Sequence, residues 1–97
     1  MFKKYPSIIF EVLSESTALY DAQLKLNYYK KIESLNYYVL VSQKEVKVQM
    51  YSRIDNSQVW KYQTYETQDE VILFDRLGFE LPVSTIYDGI GFDASPA

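Results

Sequence analysis

Three side chains in the first quarter of the chain have types and spacings suited to metal and phosphate chemistry: Glu11, Asp21 and Lys25. Glu11 interrupts an otherwise apolar run, Ser7 to Leu13 (SIIFEVL), in which Ile8, Phe10 and Val12 share one parity and Ile9 and Leu13 the other. Apolar residues on both parities predict a strand buried on both faces, hence central in its sheet. An ionised carboxylate there is costly unless it is paired or holds a cation. A hard divalent ion such as Mg²⁺ takes carboxylate and carbonyl oxygens, and Glu11 with the backbone carbonyl of Val12 would supply both. An acid that faces solvent or pairs with a lysine is the alternative, and the pattern by itself leaves the two open.

Asp21 and Lys25 stand four apart, acid before base, the favourable order for an ion pair along a helix surface. Taken alone, that surface pair is the better reading. The sharper one has Lys25 reaching the neighbouring strand near Glu11, where an ammonium orients an attacking water and stabilises charge developing on a phosphate. The chain has no histidine and no cysteine, so imidazole bases, thiolate nucleophiles, disulfides and thiolate metal sites are excluded. Any catalysis must use carboxylates, lysine, tyrosine or hydroxyls. Tyr28, Tyr29, Tyr37 and Tyr38 have faces on which bases stack, but in a chain with ten tyrosines packing in the core and on the sheet explains them better. Lys3, Lys4, Lys30, Lys31, Lys44 and Lys47 are interrupted by acids and make a weak case for a phosphate-binding patch.

The elements that must position these residues can be read in turn. After the first strand, Ser14 to Thr17 (SEST) suits a turn or helix N-terminus. From about Thr17 or Asp21 to Ile32 there is no Gly or Pro, and Leu24, Tyr28 and Ile32 form an i, i+4, i+8 stripe expected to pack on the sheet. Lys30 and Lys31 fall in its last turn, where cations complement the helix dipole. Tyr37 to Ser42 (YYVLVS) is a second continuous apolar strand, so strand, helix and strand make a βαβ unit with parallel strands. Glu45 to Arg53 alternates, with Val46, Val48 and Met50 opposite Lys47, Gln49 and Tyr51, as in a half-exposed antiparallel strand. Asp55-Asn56-Ser57 turns the chain into Gln58 to Thr64, which alternates again, and the two form a hairpin. Val71 to Phe74 and Phe79 to Leu81 read as short strands around Gly78. Pro82 opens a last helical turn through Tyr87.

Ninety-seven residues, 47% hydrophobic and 24% charged, fit one globular domain, assigned to residues 1–93 with a frayed tail at 94–97. The sequence contains neither a secretory signal nor an apolar stretch of bilayer-spanning length, so a cytoplasmic chain with no membrane partner is expected. A net charge of −3 gives no general attraction to polyanions.

Taken together, Pro6 to Lys25 (PSIIFEVLSESTALYDAQLK) resembles the signature of the Uma2 family, formerly a domain of unknown function, with the PD-(D/E)XK restriction-endonuclease-like fold. The resemblance continues through Tyr28 or Tyr29, Leu35, Tyr38 to Ser42, the hairpin, Leu77-Gly78, Leu81-Pro82 and Ile86-Tyr87. It implies an α/β fold: a mixed sheet with one crossover helix after the first strand, then a hairpin and short C-terminal strands. It also implies a Mg²⁺- or Mn²⁺-dependent phosphodiesterase acting on DNA. Glu11 then corresponds to the metal-binding acid. Leu13 stands where the strand lysine would be, and Lys25 takes that lysine's place from the helix. Asp21 becomes a helix cap or an orienting partner for Lys25. Family members carry a further sheet-rich half before this strand, with an aspartate that completes the metal site. The chain therefore resembles the C-terminal half of a member and is expected to be incomplete and inactive in isolation. A homo-oligomer or a complementing N-terminal half is the expected partner. The alternative is a non-catalytic remnant or oligomerising interaction module of the same fold.

Overall fold

The computed structural model describes residues 7–13, 16–55 and 59–90. The order of elements is β1 (Ile8–Leu13), α1 (Ser16–Tyr29), β2 (Tyr37–Ser42), β3 (Val48–Arg53), β4 (Trp60–Tyr65), β5 (Val71–Phe74), β6 (Phe79–Pro82) and α2 (Val83–Ile90). Strands β1 to β4 form one sheet in that order, with β1 parallel to β2 and the other pairs antiparallel, while β5 and β6 form a separate antiparallel pair. The expected α/β class, mixed sheet, crossover helix, hairpin and short C-terminal strands are thus all present.

The four-stranded sheet is covered on both faces. On one, Ala22 and Leu26 of α1 pack against Tyr38 and Leu40, with Ile9, Leu13, Tyr29 and Tyr51 around them. On the other, Ile72 and Phe74 of β5 and Val83, Ile86 and Tyr87 of α2 pack against Tyr37, Val39, Val41, Val48 and Met50. Strand β2 therefore carries the core of both layers, which is why its sequence is apolar on both parities. The β5–β6 turn relies on Gly78, whose φ of 73° lies in the left-handed region that glycine enters without steric cost.

Four expectations change. The first strand is not central: among the described residues β1 pairs only with β2, and Phe10 and Val12 are 44% and 46% exposed. A continuous apolar run does not distinguish a central strand from one at a sheet edge. The helix ends at Tyr29, and the stripe it buries is Ala22, Leu26 and Tyr29, not Leu24, Tyr28 and Ile32; Tyr28 is 72% exposed. The small Ala22 is what lets α1 approach Tyr38, and a stripe picked out by large side chains overlooks it. Lys30 and Lys31 follow the helix in a turn tightened by 3₁₀-type bonds, Lys31 N to Tyr28 O and Ile32 N to Tyr29 O. Finally, β3 begins at Val48 and is buried rather than half exposed, because it lies between β2 and β4 beneath both layers. Ser14, Glu15, Asn56, Ser57, Gln58, Lys3, Lys4 and the 94–97 tail lie outside the described residues.

Candidate functional site

Glu11 sits in mid-strand on the α1 side of the sheet, and the parallel register places it beside Leu40 of β2. The same parity brings Tyr38, two residues earlier on β2, under its carboxylate. The Tyr38 hydroxyl donates to Glu11 Oε1 at 3.0 Å, and the Tyr29 hydroxyl, at the end of α1, donates to Glu11 Oε2 at 3.0 Å. Lys25, one helical turn before Tyr29, brings its Nζ to 3.6 Å from the same Oε2. Strand, crossover helix and second strand therefore each contribute to one cluster. The tight helix–strand approach permitted by Ala22 sets its spacing.

The cluster is only partly enclosed: the Glu11 side chain is 21% exposed and that of Lys25 54%. The carboxylate is neither buried bare nor fully solvated. It is satisfied by two neutral donors and one cation, which answers the cost that the sequence pattern raised. Tyr38 has one hydroxyl proton and two acceptors, Glu11 Oε1 and the Ala22 carbonyl at 3.1 Å, so it ties β1, β2 and α1 together. Burial raises the pKa of Tyr38, and the adjoining Glu11 carboxylate raises it further. Tyr29 shifts the same way for the same reasons in the same order. Both tyrosines stay neutral donors at ordinary pH, and their rings meet edge to face at 4.9 Å between centroids.

The structure thus brings Glu11 and Lys25 together. Asp21 is exposed in the body of α1, five residues after its start, so it is not the helix cap, and among the described residues no ion pair joins it to Lys25. The surface pair favoured by spacing is replaced by the strand-directed one. Val12 follows Glu11 on the edge strand, with its side chain on the opposite face. Tyr29 and Tyr38 were not anticipated as partners of Glu11. The available signal was their hydroxyls on elements flanking a strand acid, which needs donors when it is covered. Of the basic residues, Lys30 and Lys31 follow α1 while Lys44 and Lys47 belong to the β2–β3 connection, so they fall at opposite ends of the sheet and form no single patch.

Mg²⁺ prefers a near-octahedral shell of oxygens, in which protein carboxylates displace some of the water. No cluster of three or more His, Cys, Asp or Glu residues occurs among the described residues. Glu11, with both oxygens already bonded and a lysine beside one of them, does not by itself make a divalent-metal site. No helix among the described residues is long and apolar enough to cross a membrane.

Comparison with known proteins agrees with the architecture. The sequence profile of Uma2, a family described as "Putative restriction endonuclease", matches residues 1–84. An uncharacterized protein of Synechocystis sp. is 34% identical over 91 residues, which cover 94% of this chain and 47% of that relative. The chain spans about half the length of the curated relative it matches.

Proposed function

Since the chain belongs to the Uma2 family, we propose that it carries part of a nuclease-like, phosphodiester-hydrolysing site for DNA, with Glu11 as its acid and Lys25 as its cation. The observation that carries this reading is the approach of Lys25 Nζ to Glu11 Oε2, 3.6 Å across the junction of edge strand and helix. An acid and an ammonium in one partly exposed cluster match the roles expected of a ligand-bearing carboxylate and a phosphate-facing cation. The divalent-metal dependence implied by the family requires further oxygen ligands, since Glu11 and the Val12 carbonyl fall short of a full shell. On this reading the isolated chain is inactive, and the missing acid comes from a complementing segment or a second copy. Asp21, one turn from Lys25, is left as a surface residue available to DNA-bound or partner groups.

The competing reading, a non-catalytic module, draws on the same cluster: two tyrosines and a lysine satisfy Glu11 as a tether between helix and sheet. Paramagnetic Mn²⁺ separates them. The isolated chain is expected to leave DNA intact and to show weak, saturable broadening of the Glu11, Val12 and Lys25 amide signals. Glu11→Gln abolishes that broadening while the rest of the spectrum is retained. Equal broadening in both proteins, or none in either, would sink the assignment of Glu11 as a metal-directed acid.

A further inference from the structure

The opposite face of the sheet carries a second polar feature, separate from the Glu11 cluster. Tyr37 of β2, Ser52 of β3 and Lys61 of β4 are successive cross-strand partners and form one row on that face, with Met50 and Gln63 paired in the next row. Asp75 and Arg76, in the turn after β5, close over this row and leave a cleft of about 220 Å³. That is below the ~300–1,000 Å³ of pockets that enclose drug-sized ligands, so any ligand here is small.

Two observations indicate that the cleft is built to hold something. Ser52 lines it and is only 6% exposed, yet its Oγ has no hydrogen-bond partner among the described residues. A covered hydroxyl without a partner is costly, and native proteins rarely leave one so. In addition, charges of both signs line the gap, Asp55 and Asp75 together with Arg53, Lys61 and Arg76. The Tyr37 hydroxyl donates to Asp75 Oδ1 at 2.8 Å and holds that carboxyl below its usual range, with the Lys61 ammonium contributing. No direct ion pair joins Lys61 to Asp75 among the described residues. Arg76 is anchored, donating from its backbone N–H to the Tyr37 hydroxyl at 2.9 Å and from its guanidinium to Asn36 Oδ1 at 3.3 Å. The Asp75 side of the cleft is therefore fixed in place.

A simple anion would meet the ionised Asp75, and a simple cation would meet Lys61. A neutral polyol would cover both charges without answering either. We propose that this cleft binds a small zwitterion of the α-amino acid class, its ammonium toward Asp75 and Ser52 Oγ and its carboxylate toward Lys61. The site does not depend on the nuclease-like reading, since it shares no residue with the Glu11 cluster.

The test is a nuclear magnetic resonance titration of the intact chain with glycine, alanine and serine, against acetate, methylammonium and ribose as controls. Saturable shifts of the Ser52, Lys61 and Asp75 amides are expected with the amino acids, at affinities at least about tenfold tighter than any control. Lys61→Gln, at an exposed position, and Ser52→Ala each weaken binding by roughly tenfold while the remaining spectrum reports an intact fold. Two results would overturn the proposal: no saturable shift up to about 100 mM amino acid, leaving water as the only occupant, or acetate or ribose binding as tightly as alanine.

Discussion

Arg53 and Glu11 lie on the same face of the sheet, on β3 and β1, and the chain holds these two charges in different ways. Arg53 is 6% exposed and spends its donors on backbone carbonyls: Leu35 O at 2.8 Å, Ile32 O at 2.7 Å and Lys30 O at 3.4 Å. Its guanidinium also lies over the Trp60 ring, 4.6 Å from the centroid. These carbonyls all belong to the connection between α1 and β2, which Arg53 pins to the sheet. Among the described residues Glu11 has only side-chain tips for partners, two hydroxyls and the ammonium of an exposed lysine. A charge held by backbone carbonyls is fixed with the scaffold, whereas one held by rotatable tips at a sheet edge can exchange them. The second arrangement is the one a functional site needs, and the first is what a scaffold needs.

The largest expected effect breaks the comparison on the Arg53 side. Arg53→Met removes the donors for three carbonyls and the contact with Trp60, and should cost about 3 kcal/mol, in the range for charged hydrogen bonds and broken buried charge networks. Urea unfolding measures it as a lower midpoint at unchanged slope. A loss below about 1 kcal/mol would mean that Arg53 is held no more firmly than a surface charge, and the contrast would collapse.

Tyr38→Phe is the next largest, because Tyr38 is the fully buried member of the Glu11 cluster. Losing its hydroxyl leaves Glu11 with one neutral donor and should cost about 1–2 kcal/mol at neutral pH. Alkali sharpens the point. Burial, reinforced by Glu11, raises the Tyr38 pKa in the folded chain above the ordinary tyrosine value of 10.0. The native state then holds that proton more tightly than the unfolded chain does. The resulting stability is complete below about pH 10 and is lost as pH rises from the unfolded value toward the folded one. Wild type should therefore lose stability more steeply than Tyr38→Phe above that pH. Parallel curves would move the alkaline sensitivity to Tyr29, Tyr37, Tyr51, Tyr65 and Tyr87, whose pKa values burial also raises.

Much of this frame was legible in the residues. Parity marked β2 as buried on both faces, alternation marked the β3–β4 hairpin, and Glu11 announced itself as a charge in an apolar strand. What stayed hidden depends on neighbours that no local pattern specifies. The SIIFEVL run reads alike for a central strand and for an edge strand, and only pairing tells them apart. The helix offered two stripes, and a single small residue, Ala22, decided between them. Lys25 had a partner four residues back by spacing and another across the interface by geometry, and the direction of the buried face chose the second. Tyr29 and Tyr38 were visible as core tyrosines, but their hydroxyls acquired a role only when register and helix rotation set both against one carboxylate. The cleft at Ser52 was illegible for the same reason, since its walls come from elements far apart in the chain.

The smallest expected effect comes from the residue on which the functional reading leans most. Lys25 has a 54% exposed side chain, and its contact with Glu11 is 3.6 Å long. Such pairs contribute about 0–1 kcal/mol and are weakened by salt. Methionine has a helix propensity close to that of lysine and keeps most of the apolar stem, so Lys25→Met should shift stability by less than about 0.5 kcal/mol, and by less still at about 1 M salt. A loss above about 2 kcal/mol, of the kind a buried charge network gives, would make Lys25 a structural lock like Arg53. Near-neutrality means instead that the fold does not need this ammonium where it stands. Its placement against Glu11 then has to be explained by what the pair does.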